Sequence, residues 1–268
     1  MAWAGENQDI FSAPDGDRRV SFLIAGAQKC GTTALHHFLS LHDSLALPGC
    51  KELHHFDNEA LDWSVPGHEQ AYHDRLRESL PDRLYGEATP IYLFWPNALE
   101  RIAAYNPDMK LIISLRDPVA RAYSQWRMEW LRGTDTLPFG EAIRTGRARM
   151  AAESVPGDAL RYFSYIERGF YAAQLDRVLS LFRREQLLII RHKDLERHQC
   201  ATLDRICDFL SVERFHAHPP MATVFSHAKL ETPKPSADDL AYLRSLFRDD
   251  LDRLERHHGI VLEAEDGL

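Results

Sequence analysis

Residues 20–37, VSFLIAGAQKCGTTALHH, decide how the rest of the chain is read. Val20 to Ala25 is a short apolar run with β-branched residues, the pattern of a parallel strand buried on both faces. Gly26-Ala27-Gln28-Lys29-Cys30-Gly31 follows, then Thr32 and Thr33, then Leu35, Phe38 and Leu39 at helical spacing. Strand, glycine-bracketed loop and helix together gather backbone N–H groups at a helix N-terminus, which suits a phosphate-like anion. The bland alternative is a turn in which glycine merely supplies a positive φ. A lysine within the loop favours the anion.

The spacing approaches the phosphate-binding pattern G-x-x-x-x-G-K-[ST], with one departure. Thr32 follows the second glycine, and the cation sits inside the loop as Lys29. In kinase-type loops the lysine after that glycine reaches the β- and γ-phosphates. A loop without it fits a nucleotide whose reactive group is not a triphosphate.

Outward from this stretch, the chain alternates strands and helices. Short strands are expected near Leu45–Leu47, Arg83–Glu87, Lys110–Leu115 and Leu187–Ile190. Helices are expected over Glu69–Leu80, Asn97–Tyr105, Pro118–Arg132, Phe170–Phe182, Ala201–Leu210 and Asp238–His257, with a helix plus lid in the polar excursion Gly133–Gly157. The alternation predicts a single α/β domain, a central parallel sheet flanked by helices, over residues 20–268 after a flexible N-terminal arm at 1–19. Ligands of such sheets sit at the carboxyl ends of strands, where the loop, Glu87 and Arg116 all fall.

The 268 residues suffice for a large core, and 44% hydrophobic with 27% charged residues is ordinary for a soluble enzyme. A net charge of −8 argues against a general nucleic-acid binder. Cys30, Cys50, Cys200 and Cys207 form no C-x-x-C pair, which points to a reducing compartment, and Cys200 and Cys207 are expected on one helix face. No apolar run reaches spanning length and the N-terminus is polar, so a cytoplasmic location is expected.

Two further strings carry chemistry. Arg116-Asp117-Pro118 ends a strand and opens a helix: the guanidinium is a planar donor fork for phosphate, and Asp117 can cap the helix. Ser124 follows on that helix. Lys51-Glu52-Leu53-His54-His55-Phe56-Asp57 offers a glutamate and histidines for proton transfer. Its spacing matches no standard zinc site, so no metal is expected.

Together the three strings resemble the sulfotransferases that use 3′-phosphoadenosine 5′-phosphosulfate (PAPS), most closely the heparan-sulfate N- and 3-O-sulfotransferase branch. The resemblance implies that Gln28, Lys29, Cys30, Gly31, Thr32 and Thr33 bind the 5′-phosphosulfate, and that Arg116 and Ser124 hold the 3′-phosphate. It implies Glu52 as catalytic base, with Lys29 and His54 assisting, and adenosine 3′,5′-bisphosphate (PAP) as product. Three departures stand out. Ala88 replaces the lysine usual after Glu87, His55 replaces a usual phenylalanine, and the late lid lacks its glycine. Lys229 is the candidate lid residue and Phe225 a candidate for stacking on adenine. Gly169-Phe170-Tyr171 is similar to the family's G-x-Y segment.

The expected activity is therefore sulfuryl transfer from PAPS to a hydroxyl or amine, by in-line transfer. The acceptor stays open among a carbohydrate, a lipid, a tyrosine and another small molecule. Arg121, Arg127, Arg132, Arg144, Arg147 and Arg149 are candidates to line a cleft for an acidic one. The competing readings are a P-loop small-molecule kinase using ATP and magnesium, and a non-catalytic nucleotide- or glycan-binding protein of the same fold.

Overall fold

The computed structural model describes residues 19–76, 82–153, 156–220 and 232–265. The arm at 1–18, Phe225 and Lys229 lie outside them. Five parallel strands form one sheet in the order β2-β3-β1-β4-β5: β1 Phe22–Gly26, β2 Leu45–Ala46, β3 Leu84–Ala88, β4 Lys110–Leu115 and β5 Leu187–Arg191. The period of two along β1 sends Leu23 and Ala25 to one face and Phe22 and Ile24 to the other, and each side has its own buried cluster. Helices α1 (Thr32–Ser40) and α9 (Gln199–Leu210) cover the Phe22 face. Helices α3 (Ala98–Tyr105) and α7 (Tyr171–Leu181) cover the other.

A third cluster joins α4 (Pro118–Arg132), α5 (Phe139–Ala151) and α10 (Ala237–His258) through Trp126, Phe139, Ile143, Leu243 and Phe247. The expected lid in Gly133–Gly157 is thus corrected. Phe139 is buried with its ring 5.5 Å from Trp126, so α5 is part of a packed core. Two short helices that sequence periodicity did not reveal are α6 (Asp158–Phe163) and α8 (His192–Arg197); α2 spans Glu69–Asp74, less than the expected stretch. Cys207 is buried and Cys200 exposed, so they do not share a packed face. No described helix is long and apolar enough to cross a membrane.

Gly86 on β3 pairs in register with Phe22 on β1, and a Cβ there would lie 2.0 Å from the Phe22 ring. Phe22 is fully buried with nowhere to retreat. Gly86→Ala is expected to destabilise the fold by about 1–3 kcal/mol through overpacking. Urea unfolding reads this as a lower midpoint at unchanged slope; an unmoved midpoint would mean that the ring repacks freely.

Candidate active site

The loop after β1 is held from below. A register shift between Ile24 and Gly26 interrupts the pairing of β1 with β4 just before the loop. The Ala27 N–H donates to the Ser114 carbonyl at 2.8 Å, and Ser114 Oγ donates to the Cys30 carbonyl at 2.6 Å. Gly31 caps α1 at φ 79°, a conformation that suits glycine, and a Cβ there would strike the His192 ring at 2.5 Å. The first N–H groups of α1, at Thr32 and Thr33, have no carbonyl within the helix to bond.

Side chains of the loop divide the work. Cys30 is core: its Sγ lies 3.7 Å from Tyr171 Oη, and burial pushes its thiol up to about 11. Gln28 Oε1 accepts a hydrogen bond from Arg168, so this side chain braces the loop. Lys29 is the expected catalytic cation. Its Nζ sits 3.6 Å from Met128 Sδ, and burial, then the charges of Arg132 and Lys51, pull it down to about 8.

Across the crevice, the Glu52 N–H donates to the Ala88 carbonyl at 2.9 Å, fixing the second string over the end of β3. Glu52 Oε1 accepts from Lys51 Nζ at 2.5 Å, and Oε2 lies 3.6 Å from His54 Nε2. His54 Nδ1 is 2.8 Å from Asp57 Oδ2, which also accepts from Arg161 at 2.6 Å. Burial pushes the Glu52 carboxyl up, but the His54 bond and the Lys51 ammonium outweigh it and hold it at about 2. Burial works against the His54 cation, yet bonds to Asp57 and Glu52 raise it to about 9, with Arg161 opposing.

Among the described residues six non-glycine positions have positive φ, and Lys29 (72°), Glu52 (65°) and His54 (51°) are three of them. A left-handed backbone costs such residues roughly 1–2 kcal/mol each. Its concentration on the three expected catalytic residues marks a site where geometry is kept against local preference.

The two histidines separate cleanly. His54 faces Glu52. His55 is buried, its ring stacked on Tyr72 with centroids 4.4 Å apart, and burial lowers it to about 4. At the end of β4, Arg116 donates from NH1 toward the Lys29 carbonyl at 3.5 Å and forms a two-pronged pair with Glu265. Asp117 caps α4, accepting from the Val119 N–H at 3.2 Å, and Ser124 lies half-buried in the second turn of that helix.

The structure adds residues that local pattern did not single out. Asp57 stood inside the quoted string without a role; its three-residue spacing from His54 was the available signal. Arg161 and Arg168 come from α6 and the turn after it, over a hundred residues from their partners, and nothing local announces them. Of the arginines expected to line an acidic-acceptor cleft, Arg121 is fully buried against Gln125 and the Tyr165 carbonyl. Arg144, Arg147 and Arg149 are paired with Asp239, Glu167 and Asp135. Arg132, 3.8 Å from Glu129, bears on the charge of Lys29.

Three adjacent strand ends, those of β3, β1 and β4, therefore bring the Lys51–Asp57 string, the loop after β1 and Arg116 to one edge of the sheet, the arrangement of an α/β phosphate-loop fold. Comparison with known proteins narrows the class. Residues 19–236 match the family described as the sulfotransferase domain, and the chain belongs to that family. It is 31% identical to human heparan sulfate glucosamine 3-O-sulfotransferase 3B1 over 208 residues, 76% of this chain and 49% of that protein. It is 30% identical to the human bifunctional heparan sulfate N-deacetylase/N-sulfotransferase 2 over 226 residues, 78% of this chain and 24% of the relative. The chain thus spans about half the length of the first of these, and less of the second. A crystal structure of a sulfotransferase from Alicyclobacillus acidocaldarius superimposes with a TM-score of 0.76 at 30% identity, covering 91% of this chain and 97% of that one.

Proposed function

We propose that the chain transfers a sulfuryl group from PAPS to a hydroxyl or amine of a carbohydrate or other small molecule, with Glu52 as base. The observation that carries the reading is that Lys29 and Glu52 stand near enough for the Glu52 charge to act on the Lys29 ammonium, each in a left-handed backbone. The residues present fit the donor nucleotide. Gly31 leaves room for backbone and little else beneath His192, and the Arg116 fork already grips a carboxylate where a phosphate would bind. Bound PAPS supplies an activated sulfuryl group on a sulfur–oxygen–phosphorus bridge.

The chain's own residues do the rest. The N–H groups from Lys29 to Thr33 and the α1 dipole hold the 5′-phosphosulfate. Arg116, with Ser124, takes the 3′-phosphate. The Lys29 ammonium stabilises charge growing on the bridging oxygen. Glu52 accepts the acceptor's proton. His54, fixed through Nδ1 by Asp57, keeps its Nε2 turned to the Glu52 carboxylate. The kinase reading is not favoured, because Thr32 stands where a γ-phosphate lysine would be. The similarity to glycan sulfotransferases supports a carbohydrate acceptor.

The nucleotide assignment is tested by thermal shift. PAP at about a hundredfold above its Kd should raise the Tm by roughly 5 °C or more, and ATP with magnesium at equal concentration should do markedly less. A larger shift with ATP and magnesium would return the chain to the kinase class. A PAP shift with no transfer from labelled PAPS to any acceptor tested would leave a binding protein.

A further inference from the structure

The described chain ends by running back over the nucleotide crevice. Helix α10 closes at Gly259, φ 67°, and Ile260 and Leu262 then pack partly against the core. Beyond this apolar anchor the next residues are acidic. Glu265 accepts from Arg116 Nε at 2.7 Å and from NH2 at 2.5 Å, and its N–H donates to Asp117 Oδ2 at 3.1 Å. Glu263 Oε2 accepts from Lys193 at 3.2 Å and Arg197 at 3.3 Å, and Lys193 also bonds the Ala264 carbonyl at 3.0 Å.

These contacts surround one pocket. Its walls carry Arg116, Arg191, Lys193 and Arg197 against Asp117 and Asp194, so they hold a surplus of two positive charges before the C-terminal residues are counted. Glu263 and Glu265, which close the pocket, cancel that surplus. A phosphate monoester carries about −1.5 to −2 at neutral pH and would cancel it equally well. His192 Nδ1 is buried in the same wall without a hydrogen-bond partner. Glu265 occupies the Nε–NH2 edge of the Arg116 guanidinium while NH1 is turned to the Lys29 carbonyl, so a phosphate that takes the same bidentate edge must displace the carboxylate.

We propose that Glu263 and Glu265 form a displaceable acidic strap, hinged beyond Leu262, that competes with the nucleotide's 3′-phosphate for Arg116, and that Lys193 passes from Glu263 to that phosphate when the strap lifts. This rests on the reading of Arg116 as the 3′-phosphate residue. The strap lowers apparent nucleotide affinity by the fraction of chains in which it is closed, and its return to Arg116 speeds the departure of PAP.

The test is calorimetric titration of the full chain with PAP and with adenosine 5′-monophosphate, which lacks the 3′-phosphate. The Glu263→Gln/Glu265→Gln variant should bind PAP about fivefold or more tightly than the unaltered chain, with affinity for the monophosphate unchanged. Circular dichroism melting checks that the variant is folded. In that background Lys193→Met should weaken PAP binding about threefold or more, again sparing the monophosphate. Equal PAP affinity with and without the strap's charges overturns the proposal, as does an equal gain for both nucleotides. An unaltered PAP affinity on adding Lys193→Met overturns the lysine's part. Arg116→Ala separates the two levels: if it leaves PAP binding intact, the nucleotide reading itself is wrong, whatever the strap does.

Discussion

Glu52→Gln is expected to lower the turnover of sulfuryl transfer by about 10²–10⁴, the range a positioned general base contributes. PAP affinity should stay within about threefold, because Glu52 belongs to the wall of the crevice opposite the phosphate loop. The histidine is the rival base, and its surroundings argue against it. His54 stands between two carboxylates, Asp57 at 2.8 Å and Glu52 at 3.6 Å, and keeps its proton up to about pH 9. An imidazolium cannot accept the acceptor's proton at neutral pH. Glu52 is ionised throughout that range, since its carboxyl sits at about 2. Such a low value makes a weak base in the free protein, and Lys51 at 2.5 Å is one main cause. An acceptor hydroxyl entering between Lys51 and Glu52 would displace that ammonium and strengthen the base where it is needed. Single-turnover measurement with labelled PAPS decides the matter. More than about a tenth of the activity surviving in Glu52→Gln would remove it from the role.

Much of this arrangement could be read from the chain because its signals are local. The apolar run before Gly26, the glycine pair around Lys29 and the Pro118 that opens α4 are each set by neighbours a few residues away. The parallel sheet and the covering of both faces follow from the alternation of elements, whereas the strand order is set by long-range pairing. The polar brace behind the site has no such period. Arg168 is fully buried, and its guanidinium ties the Gln28 side chain to the carbonyls of Leu160 and Arg161. Arg161 in turn reaches Asp57 and lies with its guanidinium carbon 4.5 Å from the Trp95 ring centre. Helix α6 and the turn after it thus clamp the loop after β1 and the Lys51–Asp57 string together. In sequence it is an arginine-containing polar stretch like any other. The α5 misreading has the same origin: Glu141, Arg144, Arg147 and Arg149 are spread along Phe139–Ala151, and only Phe139, Ala142 and Ile143 join the buried cluster of Trp126. Likewise, His54 and His55 are neighbours whose side chains diverge, one to the site and one to an aromatic core. Composition cannot tell them apart; packing does.

The second large effect is expected at Lys29. Lys29→Ala should lower turnover by about 10²–10³, the loss typical of removing one preorganised group from developing charge. Unlike Glu52→Gln it should also weaken PAP binding, since Lys29 is part of the loop proposed to hold the 5′-phosphate. The pH profile gives a separate signature. Burial, aided by Arg132 and Lys51, brings the free ammonium down to about 8. The charged form is the competent one and exists below that pH, so kcat/KM should fall as pH rises through about 8. Binding of a dianionic phosphosulfate favours the ammonium, so the same limb in kcat should lie at higher pH. Lys29→Arg keeps its charge across this range. Whatever activity it retains should therefore show no fall near pH 8. A limb that persists unchanged in Lys29→Arg would belong to another group and would detach Lys29 from the leaving oxygen.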